Sequence, residues 1–326
     1  MPDSVIVSRF APSPTGRLHL GHAYSAVRAH DLARDAGGQF LLRIEDIDRT
    51  RSRAEFVVGI EQDLSWLGLA WDGSVLYQST RMNVYREALE KLQAMGLIYP
   101  CFCTRAEIAA SASAPHGPEG PVYPGTCRAL PEAERTARFD EPHCWRLDMA
   151  KAVLAAPKTP SPLVGEGWRE GAGRRGGQPE AARDPTLSQP SPIEGEGLWW
   201  HDEFVGWVQA DPASAGDIVL ARKETPTSYH LAVTVDDAAQ SVTDVVRGVD
   251  LFEATHIHRL LQALLDLPTP FYHHHPLLIG PDGKRLAKRN GARPLAELRA
   301  EGANPEQLVA ALRAGQLPIG VTTDAA

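Results

Sequence analysis

Along the first hundred residues, continuous apolar runs alternate with stretches whose apolar positions recur three and four residues apart. "SVIVSRF" (4–10) is a continuous run and predicts a buried strand. In "APSPTG", Pro12, Pro14 and Gly16 forbid regular structure and fix a tight loop. From Leu20, "LGHAYSAVRAHDLARDAGG" keeps its apolar positions to one side, which predicts a helix stopped at Gly37–Gly38. "QFLLRIEDID" predicts a strand running into a carboxylate-rich turn. In "RAEFVVGIEQDLSWLGL", Phe56, Ile60, Leu64 and Leu67 share a helix face. "RMNVYREALEKLQAMG" turns Val84, Leu89 and Leu92 inward and stops at Gly96, and "LIYPCFC" predicts a short strand. The alternation resumes at "DIVLARK", "HLAVTVDD" and "SVTDVVRG", then the helix "DLFEATHIHRLLQALLDL". This is an α/β pattern with a parallel sheet.

The pattern breaks between Pro160 and Leu198, where Gly and Pro supply 14 of 39 residues. "PSPLVGEGW" at 160–168 returns as "PSPIEGEGL" at 190–198. Two degenerate copies without regular apolar positions do not make a solenoid. The segment reads as a disordered insertion between two halves of one folded unit.

A strand, a rigid loop and a helix whose N-terminus faces that loop form a site for anions, because unpaired N–H groups and the helix dipole favour phosphate there. "HLGH" (19–22) adds two imidazoles on the first helical turn, and Gly21 admits a flat ring close to the backbone. Taken alone, such a pair also describes a capped helix with two solvated histidines; the "APSPTG" loop upstream favours the phosphate reading. "RIEDID" (43–48) sets three carboxylates at a strand end, suited to an ammonium group, a metal or a ribose. "GKRLAKRNGAR" (283–293) is a Gly-flanked loop with five cations that can close over a triphosphate.

Composition narrows the setting. A chain of 326 residues holds one large domain with an appendage, or two domains. No 18-residue apolar run occurs, and "MPDSVIVSRF" lacks the form of a signal peptide, so a cytoplasmic, membrane-free protein is expected. The net charge of −8 disfavours indiscriminate nucleic-acid binding while allowing a local basic patch. Four cysteines, two of them in "CFC", point to a reduced compartment and a metal site. On a strand, Cys101 and Cys103 would face one way, and Cys127 of "YPGTC" supplies a third thiolate. Zinc takes four ligands, and by residue type Cys144, His116 or His143 is the fourth.

Together these residues resemble a class I aminoacyl-tRNA synthetase of the glutamyl type. "RFAPSPTGRLHLGH" is similar to its first signature, "RIEDID" to its amino-acid pocket strand, and "RLAKR" (Arg285, Leu286, Ala287, Lys288, Arg289) to its second signature. The resemblance covers most of residues 4–295 outside the insertion. Only 37 residues follow Arg289, too few for a helical anticodon-binding domain. With the Cys/Cys/Tyr/Cys arrangement, this resembles the truncated glutamyl-Q tRNA(Asp) synthetases, which activate glutamate and attach it to the queuosine base of tRNA(Asp).

The resemblance implies a Rossmann-like parallel sheet with a zinc-bearing insertion, a short helical C-terminal segment and no anticodon-binding domain. With the low-complexity insertion, which is unlike the family, set at 151–200, the chain divides into a first catalytic half (1–104), the zinc-bearing insertion (105–150), that insertion, a second catalytic half (201–266) and the lysine-loop and helical segment (267–326). Arg9, Phe10, Ala11, Pro12 and Ser13 would line the glutamate pocket, Glu45 would pair with the α-ammonium, and Tyr229 and Arg247 would complete it. An amino acid with two carboxylates and one ammonium calls for arginine forks and an acid. His19, Gly21, His22 and Lys288 would contact ATP, with His19, His22 and Lys288 stabilising the transferring charge. ATP arrives with Mg2+, and Zn2+ would sit on Cys101, Cys103, Tyr123 and Cys127. The implied partners are L-glutamate, ATP and queuosine-bearing tRNA(Asp), bound by a monomer. The second signature departs from the usual lysine–apolar–serine–lysine order, with Arg285 and Ala287 in place of the first lysine and the serine. The rival readings are a short glutamyl-tRNA synthetase acting at a tRNA 3′ end, and a zinc-containing nucleic-acid-binding module without catalysis.

Overall fold

In the computed structural model, the first apolar run becomes the strand Val7–Phe10, buried at every position. The structure describes residues 5–110, 116–117, 120–160, 196–222, 225–280, 285–286, 292–315 and 322–323. The strand lies inside a seven-stranded sheet ordered Gly206–Gln209, Trp199–Asp202, Phe271–His275, Asp244–Gly248, Val7–Phe10, Gln39–Ile44, Leu76–Tyr77. All neighbours run parallel except the outermost hairpin strand Gly206–Gln209. Burial on both faces is what continuous apolar runs in a parallel sheet reflect.

From Val7–Phe10 the chain winds outward through the helix Leu20–Asp35 to Gln39–Ile44, and later returns to place Asp244–Gly248 on the opposite side. The strand order therefore reverses between Val7–Phe10 and Asp244–Gly248. In open α/β sheets a crevice opens at such a point, beyond the carboxyl ends of the strands. "APSPTG" and the turn Val249–Leu251 both lie there.

Helix ends follow the expected stops: Gly37 and Gly96 have φ of 65° and 69°, positions where a Cβ would strain the backbone. "HLAVTVDD" forms the helix Tyr229–Ala239. "DIVLARK" supplies Val219–Arg222, which joins Cys144–Leu147 and Ile98–Cys101 in a separate three-stranded antiparallel sheet instead of the parallel one. "LIYPCFC" is strand only as far as Cys101, so Cys103 lies past the strand end. At the C-terminus, Leu295–Ala300 and Pro305–Arg313 bury Leu295, Val309 and Leu312 in the same core as Phe10, Val27 and Ile44. Among the described residues no helix is long and apolar enough to cross a membrane.

The expected low-complexity insertion is narrower than 151–200. The helix Met149–Ala155 enters that span from one side. From the other, Leu198 and Trp199 are buried, and Glu196–Gly197 pairs antiparallel with Thr159–Pro160. Residues 161–195 lie outside the described residues. Replacing 161–195 by a short turn should leave urea-unfolding stability within about 1 kcal/mol of the parent. Removing 160–198 entire should cost about 2–3 kcal/mol more, because it takes Leu198 out of the core. Equal stability of the two deletions would refute this boundary.

Candidate active site

The turn after Val7–Phe10 is pinned to the neighbouring strand end, where Glu45 N–H donates to the Pro12 carbonyl (3.1 Å). Phe10 packs in the hydrophobic core and Pro12 is buried, so both serve as scaffold for the loop. Ser13 is exposed on the loop and Ala11 is half-buried.

His19 is the N-cap of the helix Leu20–Asp35, and its Nδ1 accepts from Gly21 N–H (3.1 Å). His22 Nδ1 accepts in return from His19 N–H (3.1 Å), which closes a capping box made of two imidazoles. With Nδ1 occupied as an acceptor, a neutral ring carries its proton on Nε2. The capped-helix and phosphate readings of "HLGH" are thus compatible. Gly21 is needed for space: a Cβ there would stand 3.1 Å from His19 Cε1 and 4.0 Å from the Leu286 carbonyl oxygen.

That last contact brings the two signatures together. Leu286 N–H donates to the Leu278 carbonyl (2.8 Å), Arg285 pairs with Asp250 (2.6 Å), and Pro294 bridges to His19. Ala287, Lys288 and Arg289 lie outside the described residues.

Beneath the loop is a buried ion network. Asp237 takes Arg9 Nε (2.9 Å) and Arg43 Nη1 (2.7 Å), and Arg43 Nη2 reaches Glu45 (3.3 Å). Burial pushes the Asp237 carboxyl up, but Arg9 and Arg43 outweigh it and hold it at about 2. Burial raises Glu45, against the pull of Arg43 and Arg9. Beside it, Asp236 has no exposure and accepts from Arg81 (2.7 Å), Tyr85 (2.6 Å) and Gln78 (2.9 Å). Arg247, 6% exposed, donates to His274 Nε2 (3.1 Å), His258 Nδ1 (3.2 Å) and Thr255 Oγ1 (2.5 Å). Among the described residues no carboxylate lies within 4.0 Å of its guanidinium.

Over this network opens a cavity of about 560 Å³, lined by Ser13, Glu45, Gln78, Tyr229 and His230 at one end and by Tyr123 and Arg146 at the other. Arg9 and Arg247 are not among its lining residues; both are buried, in electrostatic reach of the Tyr229 hydroxyl, whose pKa burial raises and Arg247 lowers. Of the residues expected in the glutamate pocket, Ser13, Glu45 and Tyr229 line this recess, and Arg9 and Arg247 are buried near them. The sequence reading missed Asp237, Asp202, His230, Thr255, His258 and His274, and left Arg43 without a role. Two adjacent aspartates inside an apolar helix and three successive histidines on a strand were the available signals.

At the far end of the cavity, the Sγ atoms of Cys101, Cys103 and Cys127 all lie within 4.8 Å of one another. Tyr123 Oη is 3.3 Å from Cys101 Sγ and 3.5 Å from Cys103 Sγ, and accepts from Cys127 N–H (2.8 Å). Three thiols converging with one phenolic oxygen form a donor set of the number zinc takes. Cys144 faces Cys101 across the strand pair but stands outside the cluster. His143 is packed against Phe102, Phe139 and Trp145 with Nδ1 at the Glu141 carbonyl, and the side chain of His116 lies outside the described residues.

The family described as tRNA synthetases class I (E and Q), catalytic domain, matches residues 5–157 and 180–322. The glutamyl-Q tRNA(Asp) synthetase of Rhodobacter capsulatus is 47% identical over 320 residues, covering 93% of this chain and 98% of that protein. The protein of the same name from Symbiobacterium thermophilum is 43% identical, covering 94% and 84%. Among solved structures, a glutamate tRNA ligase from Elizabethkingia meningosepticum in complex with its amino acid aligns with a TM-score of 0.70 at 24% identity. The alignment covers 95% of this chain, which spans 60% of that ligase's length, and it speaks for the fold.

Proposed function

The chain belongs to the class I tRNA synthetases of the glutamyl and glutaminyl kind, and from that premise we propose that it is a ligase joining glutamate, through glutamyl-adenylate, to the queuosine base of tRNA(Asp). The observation that carries the glutamate half is the recess itself, where an acid, Glu45, stands beside buried arginines with a tyrosine at the rim. The acceptor half rests on the similarity to relatives named for it, of which the chain spans most of the length.

In this reading Glu45 takes the α-ammonium and Arg247 the side-chain carboxylate, while Arg9, held by Asp237, contributes positive potential. The α-carboxylate attacks the α-phosphate of Mg2+-bound ATP, an acyl-phosphate bond forms and pyrophosphate leaves. No protein nucleophile takes part, so catalysis is positioning and charge stabilisation. His19, His22 and the amino end of the helix Leu20–Asp35 would stabilise the charge that develops, and Lys288 would close over it. A hydroxyl of the queuosine cyclopentene diol then attacks the carbonyl and AMP departs.

Cys101, Cys103, Tyr123 and Cys127 would hold a zinc ion, whose contribution is to tie the 123–127 loop to the end of Ile98–Cys101. Purified protein should contain about one zinc per chain. Cys103→Ser should lose it and Cys144→Ser should keep it; equal metal in both variants would refute the ligand set.

The acceptor is tested by offering queuosine-containing tRNA(Asp), the same tRNA with guanosine at that position, and tRNA(Glu). Each tRNA shortened by its 3′-terminal adenosine serves as the control, because periodate would cleave the queuosine diol along with that of the 3′ end. Labelling from radioactive glutamate is expected on the first alone. Transfer to the 3′ end of tRNA(Glu), with none to queuosine, would make the protein a short glutamyl-tRNA synthetase instead.

A further inference from the structure

A guanidinium has five N–H donors. Arg247 directs one to His274, one to His258 and one to Thr255, which leaves one on each terminal nitrogen. That remaining pair can take a carboxylate only if the three occupied donors keep the group's plane fixed. Each occupied donor needs an acceptor lone pair opposite it, and an imidazole offers one only in the right tautomer.

Asp202 decides that tautomer at His274. Its Oδ2 accepts from His274 Nδ1 (2.8 Å) and from His274 backbone N–H (3.2 Å). Its Oδ1 accepts from Phe204 N–H (2.9 Å) and Val205 N–H (3.2 Å). The carboxylate has no exposure; three of the four groups facing it are backbone N–H donors, and as an acceptor it requires the fourth, His274 Nδ1, to donate as well. The His274 proton therefore sits on Nδ1, and Nε2 keeps its lone pair to accept from Arg247 Nε (3.1 Å), with Thr255 Oγ1 also 3.3 Å from it. The ring is packed among aromatics: Tyr272 stacks on it at an interplanar angle of 4°, and Trp200 and Phe252 lie 5.8 Å and 5.1 Å away between centroids. On neighbouring parallel strands, Arg247 and His274 are register partners.

We propose that Asp202 is a positioning residue for the amino-acid site, acting through His274 to hold Arg247 so that its two remaining N–H groups meet the substrate carboxylate. The proposal rests on the reading above that Arg247 takes a glutamate carboxylate. It makes Asp202 a determinant of glutamate recognition with the hydrogen bond of an imidazole between it and the arginine, much as a carboxylate orients a metal-ligating histidine.

The test compares Asp202→Asn, His274→Phe, His274→Gln and Arg247→Ala in glutamate-dependent ATP–pyrophosphate exchange by the full chain. An asparagine must turn its NH2 toward one of four donors, so Asp202→Asn is expected to disturb the pair nearly as much as His274→Phe. Each should raise the KM for glutamate about ten- to a hundredfold with the KM for ATP little changed. His274→Gln, whose amide oxygen can accept from Arg247, should recover much of the loss. In 15N spectra, with the His274 signals among the 12 histidines identified by difference against His274→Gln, the parent should show Nδ1 protonated and Nε2 bare. A proton on Nε2 in the parent would overturn the proposal. So would an unchanged glutamate KM in both His274→Phe and Asp202→Asn while Arg247→Ala raises it. If Arg247→Ala also leaves that KM unchanged, the glutamate reading of the site is what fails. Because Asp202 also anchors the turn at 203–205, its variant can fail to fold; the His274 variants and the spectra decide in that event.

Discussion

Asp237→Ala should destabilise the fold by about 3–5 kcal/mol, the range for removing one partner from a buried ion cluster. Arg43 has no exposure and Arg9 only 5%, and both point at this carboxylate. Without it, Arg43 keeps Glu45 and Gln240, while Arg9 keeps a carbonyl contact at Val246. Two desolvated cations would then lean on one acid whose own charge burial already disfavours. The effect is read as a shift of the urea midpoint at constant slope. The sign with pH follows from the depressed carboxyl. Its stabilisation is complete above the unfolded value near about 4 and is lost as pH falls from there toward 2. The variant should lack that acid leg. A midpoint within 1 kcal/mol of the parent, by the same measure, would show that the cluster relaxes around its loss.

Arg247→Ala should behave in the opposite way, costing function and sparing stability. Its charge has no carboxylate within contact among the described residues, so deleting it removes a desolvation penalty. The same deletion leaves His258, His274 and Thr255 short of a donor, which roughly offsets the gain. The melting temperature should therefore move by no more than about 4 °C. Glutamate binding or its transition state should lose roughly 2–5 kcal/mol, because a substrate carboxylate would enter a recess without its counter-charge. ATP affinity should change much less. Exchange kinetics with glutamate and ATP varied separately, beside a thermal melt, give both numbers. Unchanged glutamate dependence would remove Arg247 from the pocket. A melt lowered as far as that of Asp237→Ala would make it a structural residue.

What the sequence made legible was local. The strand, loop and helix at 4–38 could be read because Pro, Gly and a one-sided apolar face punctuate consecutive residues. The three clustered cysteines could be read because their chemistry is narrow, although Cys103 reaches the others past the strand end and not by strand alternation. The support of the site was not legible. Arg43 on a strand meets Asp237 on the helix Tyr229–Ala239 across 194 positions, and Asp202 meets His274 on the neighbouring strand across 72; no periodicity encodes pairings between elements that meet only in the fold. The same limit explains Val219–Arg222, whose apolar run fits either sheet and is decided by which strand it finds beside it. Phe10 and Pro12, which the resemblance implied for the pocket, are buried, a fact of the folded packing that the loop's sequence alone does not show.

The pairing of Thr159–Pro160 with Glu196–Gly197 also bears on how the chain can be cut. Pro160 and Glu196 stand opposite each other in that ladder, about 5 Å apart by strand geometry. A break there separates a fragment carrying Val7–Phe10, Gln39–Ile44 and Leu76–Tyr77 from one carrying Trp199–Asp202, Asp244–Gly248 and Phe271–His275. Each fragment alone exposes half a parallel sheet, and Arg9 and Arg43 are parted from Asp237. Neither half should be self-sufficient, because one apolar core cluster draws residues from both and buried charge joins them. The protein is in this sense already laid out for two-piece complementation, with activity returning only when the halves meet.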